Sequence, residues 1–202
     1  MVWETLPIIS AGQEQDNPAQ AIWPFIPSWS HGMLPTNKQG RMISTANARL
    51  REEGQPFAPT FMPSWNSDQR VIVIASWFYE FDSRVKPQIP YGVFPTDAPF
   101  WMMAGLARRG KFANGSNGFT VTIITVNPND VLTSIGHNRS PALLRDQEEA
   151  VTWLRGSKEE AVTLLRPYEN ELMGAEQVPM GIKIPGNQDV EVPIDVFSRR
   201  SD

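Results

Sequence analysis

Val71-Ile-Val-Ile-Ala-Ser-Trp-Phe-Tyr-Glu-Phe81 is the stretch whose reading decides the fold. It is dense in β-branched and aromatic residues, which fit a pleated, buried surface. It reads as buried strand over 71–75 and again over 77–81. Glu80 is its only charged side chain. Burying an unpaired carboxylate is costly, so Glu80 either has a dedicated partner or is kept for acid–base work.

Outward from this stretch, further strands are expected near 91–94, 100–107 and 119–125. The turn signal Asn114-Gly-Ser-Asn-Gly118 joins the last two. The first 70 residues are rich in Pro, Gly, Asn and Trp, as in Ile22-Trp-Pro-Phe-Ile-Pro-Ser-Trp29, and read as loops and short strands wrapped on a core. Asn127-Pro128 reads as an N-cap with proline at the first helical position, opening a short helix to about Ile135. Asp146 with Glu149, and Ser157 with Glu160, are capping patterns that open helices near 147–155 and 158–166. From Met173 alternation returns with Pro179, Pro185 and Pro193, which suggests edge strands or an extended tail. Strands in meander order with helices collected later indicate an α+β fold: a mostly antiparallel sheet or open barrel with peripheral helices. The length favours one domain over 1–202.

The formal net charge is −4, so the surface as a whole does not advertise a polyanion partner. Arg41, Arg49, Arg51, Arg70, Arg108, Arg109, Arg139 and Arg145 nevertheless lie near the motif-bearing segments and leave room for a local basic groove. The 202 residues contain no cysteine, which excludes disulfides, thiolate metal sites and a cysteine nucleophile among them. With only His31 and His137 besides carboxylates, no metal site and no cofactor are expected. Met1-Val-Trp-Glu has no basic start followed by an apolar core, and no apolar run is long enough to span a bilayer. A cytoplasmic monomer without a membrane partner is expected.

Three polar sites stand out: Asn47-Ala48-Arg49, Glu80, and Ile135-Gly-His-Asn-Arg-Ser-Pro141. Together they offer an amide to orient a group, a carboxylate and an imidazole to move protons, and arginines to hold anions. Each has a structural reading too. Asn47 fits turn hydrogen bonding. Glu80 fits an ion pair with Arg49 or Arg139. His137 fits a helix C-terminal dipole contact. His31 reads as a surface loop residue, and the tryptophans at 23, 29, 65 and 77 as core.

Trp23-Pro-Phe-Ile-Pro-Ser-Trp29, Asn47-Ala-Arg49, Arg70-Val-Ile-Val-Ile-Ala-Ser-Trp-Phe-Tyr-Glu80, Phe100-Trp-Met-Met-Ala-Gly-Leu106, Phe119-Thr-Val-Thr-Ile-Ile-Thr125 and His137-Asn-Arg-Ser-Pro141 occur in this order. They resemble the successive blocks of the SOS response-associated peptidase (SRAP) family of abasic-site processing proteins: W-G-L-I-P-S-W, N-A-R-x-E, R-C-x-x-P-x-x-x-F-Y-E-W, F-A-G-L-W, T-x-I-T-T and I-H-x-R-M-P. The resemblance covers about residues 3–155.

The resemblance implies a protein of the SOS and DNA-damage response that binds single-stranded DNA and links covalently to abasic sites. In the family, an N-terminal cysteine exposed by autoproteolytic loss of the initiator methionine attacks the ring-opened sugar and closes a thiazolidine. By the matching blocks, Asn47 would orient the N-terminal residue, Glu80 would move protons, and His137 would act on the sugar ring oxygen or hydroxyl. Arg49 would contact phosphate, Arg139 and Trp29 would hold the backbone and stack bases, and Thr125 and Phe81 fall at further DNA-contacting positions. Binding to DNA implies association with the nucleoid.

The family pattern opens with Met-Cys-Gly-Arg, whereas Met1-Val-Trp-Glu-Thr-Leu-Pro7 resembles a stretch further into that pattern. Arg51 stands at the acid of N-A-R-x-E, Phe81 at the tryptophan after the glutamate, Ser140 at the methionine of I-H-x-R-M-P, and Gly136 before the histidine. The expectation is that a cysteine-bearing segment precedes Met1, through a truncated or mis-assigned start. The alternative is a divergent, phage-borne relative that binds single-stranded DNA without covalent chemistry, so enzyme status stays open. A third reading is an unrelated hydrolase using Glu80 and His137, for which no nucleophile or metal is visible.

Overall fold

A computed structural model describes residues 4–11 and 19–179. The chain runs through β1 (Glu4–Ser10), β2 (Ala19–Trp23), β3 (Asn47–Arg49), α1 (Met62–Asn66), β4 (Arg70–Ala75), β5 (Phe78–Asp82), β6 (Ile89–Pro95), β7 (Trp101–Lys111) and β8 (Asn117–Val126). It continues through α2 (Asp130–Ser134), β9 (Ser140–Pro141), β10 (Leu143–Leu144), α3 (Gln147–Arg155), α4 (Lys158–Thr163) and β11 (Met173–Gln177).

The stretch 71–81 divides, as its composition suggests, at Ser76-Trp77, but its halves join different sheets. All six residues of β4 are buried, and β4 pairs antiparallel with β7 and β1. β1 pairs with β2, β2 runs parallel to β8, and β8 pairs back onto β7. The mostly antiparallel α+β sheet therefore closes into a five-strand ring, rather than staying open, and closure leaves no free edge among those strands. The opening residues are not merely wrapped on a core, because β1 and β2 are two staves of the barrel.

Alternation along β4 serves two cores. Ile72 and Ile74 face a cluster shared with α1, α3 and α4, while Val71, Val73 and Ala75 face one shared with α2 and the second sheet. That second sheet has the order β11-β6-β5. β11 is the expected edge strand after Met173, while Pro185 and Pro193 lie outside the described residues.

The helices follow their caps. The Asp146 side chain accepts from Glu149 N, and Ser157 and Glu160 form the full reciprocal capping box. Those bonds to Ser157 hold the Glu160 carboxyl below its ordinary pKa. α2 starts two residues later than expected. Asn129, not Asn127, is the cap: its side chain accepts from Leu132 N and also donates to Tyr168 O. α3 buries Ala150, Trp153 and Leu154, one face at helical spacing.

Arg70 illustrates how this side of the barrel is closed. Its guanidinium lies 5.8 Å from both the Trp65 and Trp153 rings and donates to Gly156 O (2.6 Å) and Ser157 O (3.2 Å). Burial lowers its pKa, and Asp68 partly offsets that. Arg70 is thus a core residue and not part of any basic groove. The Trp153 indole donates to Val71 O at 2.8 Å, pinning α3 to β4. Replacing Trp153 with Ala removes that donor and opens a cavity. We expect a loss of about 3–5 kcal/mol, read from urea unfolding.

Candidate functional site

The site is organised by the C-terminal end of β8. β7 and β8 pair as far as Gly105 and Ile123 and then part. Gly105 suits that point, since a Cβ there would sit 2.9 Å from Thr122 O. Residues 140–144 enter the gap, with β9 pairing to β8 (Thr125 opposite Pro141) and β10 to β7. Ala142 bridges both sides, its N–H donating to Ile124 O and its carbonyl accepting from Ala104 N.

The opposite edge of β8 receives β3, with Asn47 opposite Ile123 and Arg49 opposite Thr125. The approach to Asn47 is held rigidly. Ala46 O accepts from Trp23 Nε1 (2.9 Å), Thr122 Oγ1 (3.1 Å) and Ile123 N (3.1 Å). The Asn47-Ala-Arg49 and His137-to-Pro141 blocks, far apart in sequence, are thereby brought to the two flanks of one strand end. Asn47 and Arg49 are exposed and Arg139 is half-buried.

His137 leaves α2 through a Schellman motif. Gly136 takes φ 75°, Gly136 N donates to Thr133 O, and His137 N donates to Leu132 O. The left-handed position explains a glycine immediately before the histidine. His137 Nε2 then meets Glu80 Oε2 at 2.9 Å, with both side chains partly exposed. His137 Nδ1 is buried and has no hydrogen-bond partner among the described residues. The partner of Glu80 is therefore the histidine, not Arg49 or Arg139, and the imidazole faces a carboxylate rather than the carbonyls of its own helix. A carboxylate–imidazole contact open to solvent on one side can accept and return protons.

Two residues unremarked in the sequence hold this pair in register. Asp82 lies two positions beyond Glu80, on the same face of β5. Arg84 closes on it with a bidentate contact (2.9 and 2.8 Å) and donates to Ser134 O at the end of α2 (2.9 Å). The Arg84 hydrogen bond holds the Asp82 carboxyl below its ordinary pKa, and Asp82 in turn raises that of Arg84. A Cβ on Gly136 would fall 2.5 Å from both Arg84 Nε and Asp82 Oδ1. The strand bearing Glu80 is thus bolted to the helix bearing His137. The i, i+2 spacing of Glu80 and Asp82 was the available signal.

The remaining candidates distribute unevenly. Phe81 is exposed but points to the face of β5 opposite Glu80. Trp29 is 50% exposed on a short 3-10 turn, Ser28–Ser30, so it is a surface residue and not core. Thr125 is only 4% exposed, and its strand pairs with β3 on one edge and β9 on the other. Its hydroxyl is buried and has no partner among the described residues. Arg145 stands 3.8 Å from Glu169, while Arg41, Arg49, Arg51 and Arg109 are exposed. Among the described residues no group of three or more His, Asp or Glu converges as a metal site, and no helix is long and apolar enough to cross a membrane.

The described residues thus form a closed barrel whose wall splits between β7 and β8, with a Glu–His pair on its flank. The model of the SOS response associated peptidase (SRAP) family matches residues 3–184, and the chain belongs to that family. It is 30% identical over 176 residues to abasic site processing protein YoaM of Bacillus subtilis, covering 84% of this chain and 72% of that protein. It is 29% identical over 175 residues to abasic site processing protein YoqW of Bacillus phage SPbeta, covering 84% and 73%. A solved structure of a Bacteroides thetaiotaomicron protein superposes with a TM-score of 0.70 at 28% identity, over 88% of this chain and 75% of that one. A Bordetella bronchiseptica protein at 24% identity shares the fold, with a TM-score of 0.71 over 87% and 84% of the two chains.

Two measurements test the bolt. Gly136→Ala should cost at least about 1–2 kcal/mol, because a Cβ is strained at positive φ and collides with Asp82 and Arg84. Chemical denaturation reads this. Arg84→Ala should return the Asp82 carboxyl upward to the ordinary aspartate range, seen by NMR titration. The depressed folded pKa means the Asp82 contribution is present above that value and is lost as pH falls through the folded pKa. The stability gap between wild type and Arg84→Ala should therefore narrow below about pH 4.

Proposed function

We propose that this protein processes abasic sites in DNA. It binds single-stranded DNA as a monomer with one domain. In a form that begins with cysteine, it links covalently to the lesion and removes its own initiator methionine, a peptidase- and lyase-like chemistry of the cytoplasmic response to DNA damage. The observation that carries this reading is the 2.9 Å contact between Glu80 and His137, residues brought together from separate elements beside the β8 end that Asn47 and Arg49 also flank. The matched relatives named abasic site processing proteins support it.

The chemistry needs proton transfers that such a pair can supply. His137 protonates the sugar ring oxygen as the ring opens to the aldehyde. An N-terminal amine adds to the aldehyde carbon, and Glu80 returns protons as the carbinolamine loses water to give the imine. A thiol on the same residue then adds to the imine carbon, closing a thiazolidine with no net redox change. Asn47 orients the attacking residue, while Arg49 and Arg139 hold phosphates on either side. A second reading rests on one observation, the absence of cysteine from the 202 residues. It is a single-stranded DNA binder without covalent chemistry.

The deciding assay mixes the cysteine-initiated form, and separately the 202-residue chain, with single-stranded DNA carrying one abasic site. Denaturing gels report crosslinks and fluorescence anisotropy reports binding. A cysteine-initiated form that binds but never crosslinks would leave the second reading. In the crosslinking form, Glu80→Gln should slow adduct formation by about 10²–10⁴-fold while affinity changes little. Equal loss of both would mark Glu80 as a structural partner of His137.

A further inference from the structure

A histidine that moves protons is oriented, as a rule, by the group bonded to its second ring nitrogen. His137 is held differently. Nε2 faces Glu80, while Nδ1 is buried and has no hydrogen-bond partner among the described residues. A single contact fixes one corner of the ring and not its tilt. The direction of the imidazole is therefore set by how firmly the backbone leading into His137 is held.

α2 cannot supply that firmness alone. It has five residues, Asp130–Ser134, far fewer than a helix needs to be stable by itself. At its N-terminal end the Asn129 side chain donates to Tyr168 O (3.2 Å), and Asp130 N donates to Asn170 Oδ1 (3.0 Å). Leu132 and Ile135 are buried in the second core, against which Phe78 and Tyr91 of the small sheet also pack. At the C-terminal end Arg84 donates to Ser134 O while its fork closes on Asp82. Asp82 is buried, and its Oδ1 accepts from both Arg84 N (3.0 Å) and Arg84 Nε (2.9 Å). The guanidinium thus cannot swing away without breaking several bonds at once. Asp82 and Glu80 share one face of β5, so the guanidinium spans from the strand that carries the carboxylate to the turn that carries the imidazole.

Position 136 belongs to the same arrangement. The family pattern places an isoleucine directly before the histidine, and this chain places Gly136. A Cβ there would fall 2.5 Å from Arg84 Nε and from Asp82 Oδ1. The glycine makes room for the ion pair, and the ion pair fills the space that a side chain at 136 would take.

We propose that Arg84 and Asp82 are positioning residues of the reaction, which take the place of a bond at Nδ1 and orient the His137 imidazole on Glu80 through the backbone of residues 134–136. The proposal rests on the proton-transfer role given to the Glu80–His137 pair above. It adds that the rate of crosslinking depends on two side chains that need not touch DNA.

Two measurements test this, with Glu160→Ala as a control that loosens the capping box of α4, whose Ala161 lies in the other core. The first is carbon relaxation of the His137 ring in the 202-residue chain, where His31 is the one other histidine. The ring order parameter should fall in Arg84→Ala and in Asp82→Ala and keep its wild-type value in Glu160→Ala. The second is single-turnover crosslinking by the cysteine-initiated form at saturating single-stranded DNA with one abasic site. Arg84→Ala and Asp82→Ala should each slow adduct formation about 10–100-fold with DNA affinity unchanged. The double variant should be no slower than the slower single, as for residues that act as a unit. Each variant is measured well below its own thermal midpoint. A ring as ordered in Arg84→Ala as in wild type overturns the proposal, whether or not any form crosslinks. So does wild-type crosslinking by Arg84→Ala, or equal slowing by Glu160→Ala. A parallel loss of DNA affinity would make Arg84 a DNA contact and overturns it as well. The expected loss of ring order with no crosslinking by any form would instead overturn the function proposed above.

Discussion

The parting of β7 and β8 at Gly105 and Ile123 is the constraint on which the rest of the structure depends. An antiparallel pair that continued to its natural end would bury both edges of β8 and leave nowhere for residues 140–144 to attach. Because the pair splits, Ala142 can satisfy backbone groups on both strands, and the segment that follows His137 is anchored at its far end. Its near end is anchored by the Schellman motif and by Arg84 on Ser134 O. The histidine is therefore carried on a short bridge fixed at both ends. Such fixation suits the proton-transfer role proposed for it, since small misplacements are expensive in rate.

Much of the barrel was legible because its strands are strongly biased. Val71-Ile-Val-Ile74 and Phe119-Thr-Val-Thr-Ile-Ile-Thr125 have no competing interpretation, and Asn114-Gly-Ser-Asn-Gly118 forms the turn, with Phe112 N bonded to Ser116 O. β1 and β2 were not legible, because Pro7 and the surrounding irregular composition mask strands whose pairing is supplied by β4 and β8. Asn127, followed by Pro128, is the cap that the sequence suggests. The cap falls instead on Asn129, whose side chain also donates to the distant Tyr168 O. α4 ends at Thr163 although the pattern runs on to 166.

The site was legible as a set of residues but not as a geometry. Nothing local in the sequence reveals that Glu80 will meet His137, since β5 belongs to the small sheet and His137 to the bridge beside β8. The Asp82–Arg84 bolt escaped notice for the same reason. Its third member is a helix carbonyl, which carries no side-chain signature. Thr125, at the same strand end, is buried, which its place in the motif does not reveal.

β2 and β3 meet the same edge of β8, at Phe119–Thr120 and at Ile123–Thr125, as though they were one strand interrupted by a long detour. Phe25 and Thr45 tie the detour at its neck, and Thr120 and Thr122 hold its two ends to the barrel. Loop-closure cost grows only slowly with length, by about 0.6 kcal/mol for each doubling. Beyond Trp29 the detour can therefore lengthen or shorten without moving Asn47. The architecture uncouples the part of the protein free to diversify from the part whose atoms must stay in place.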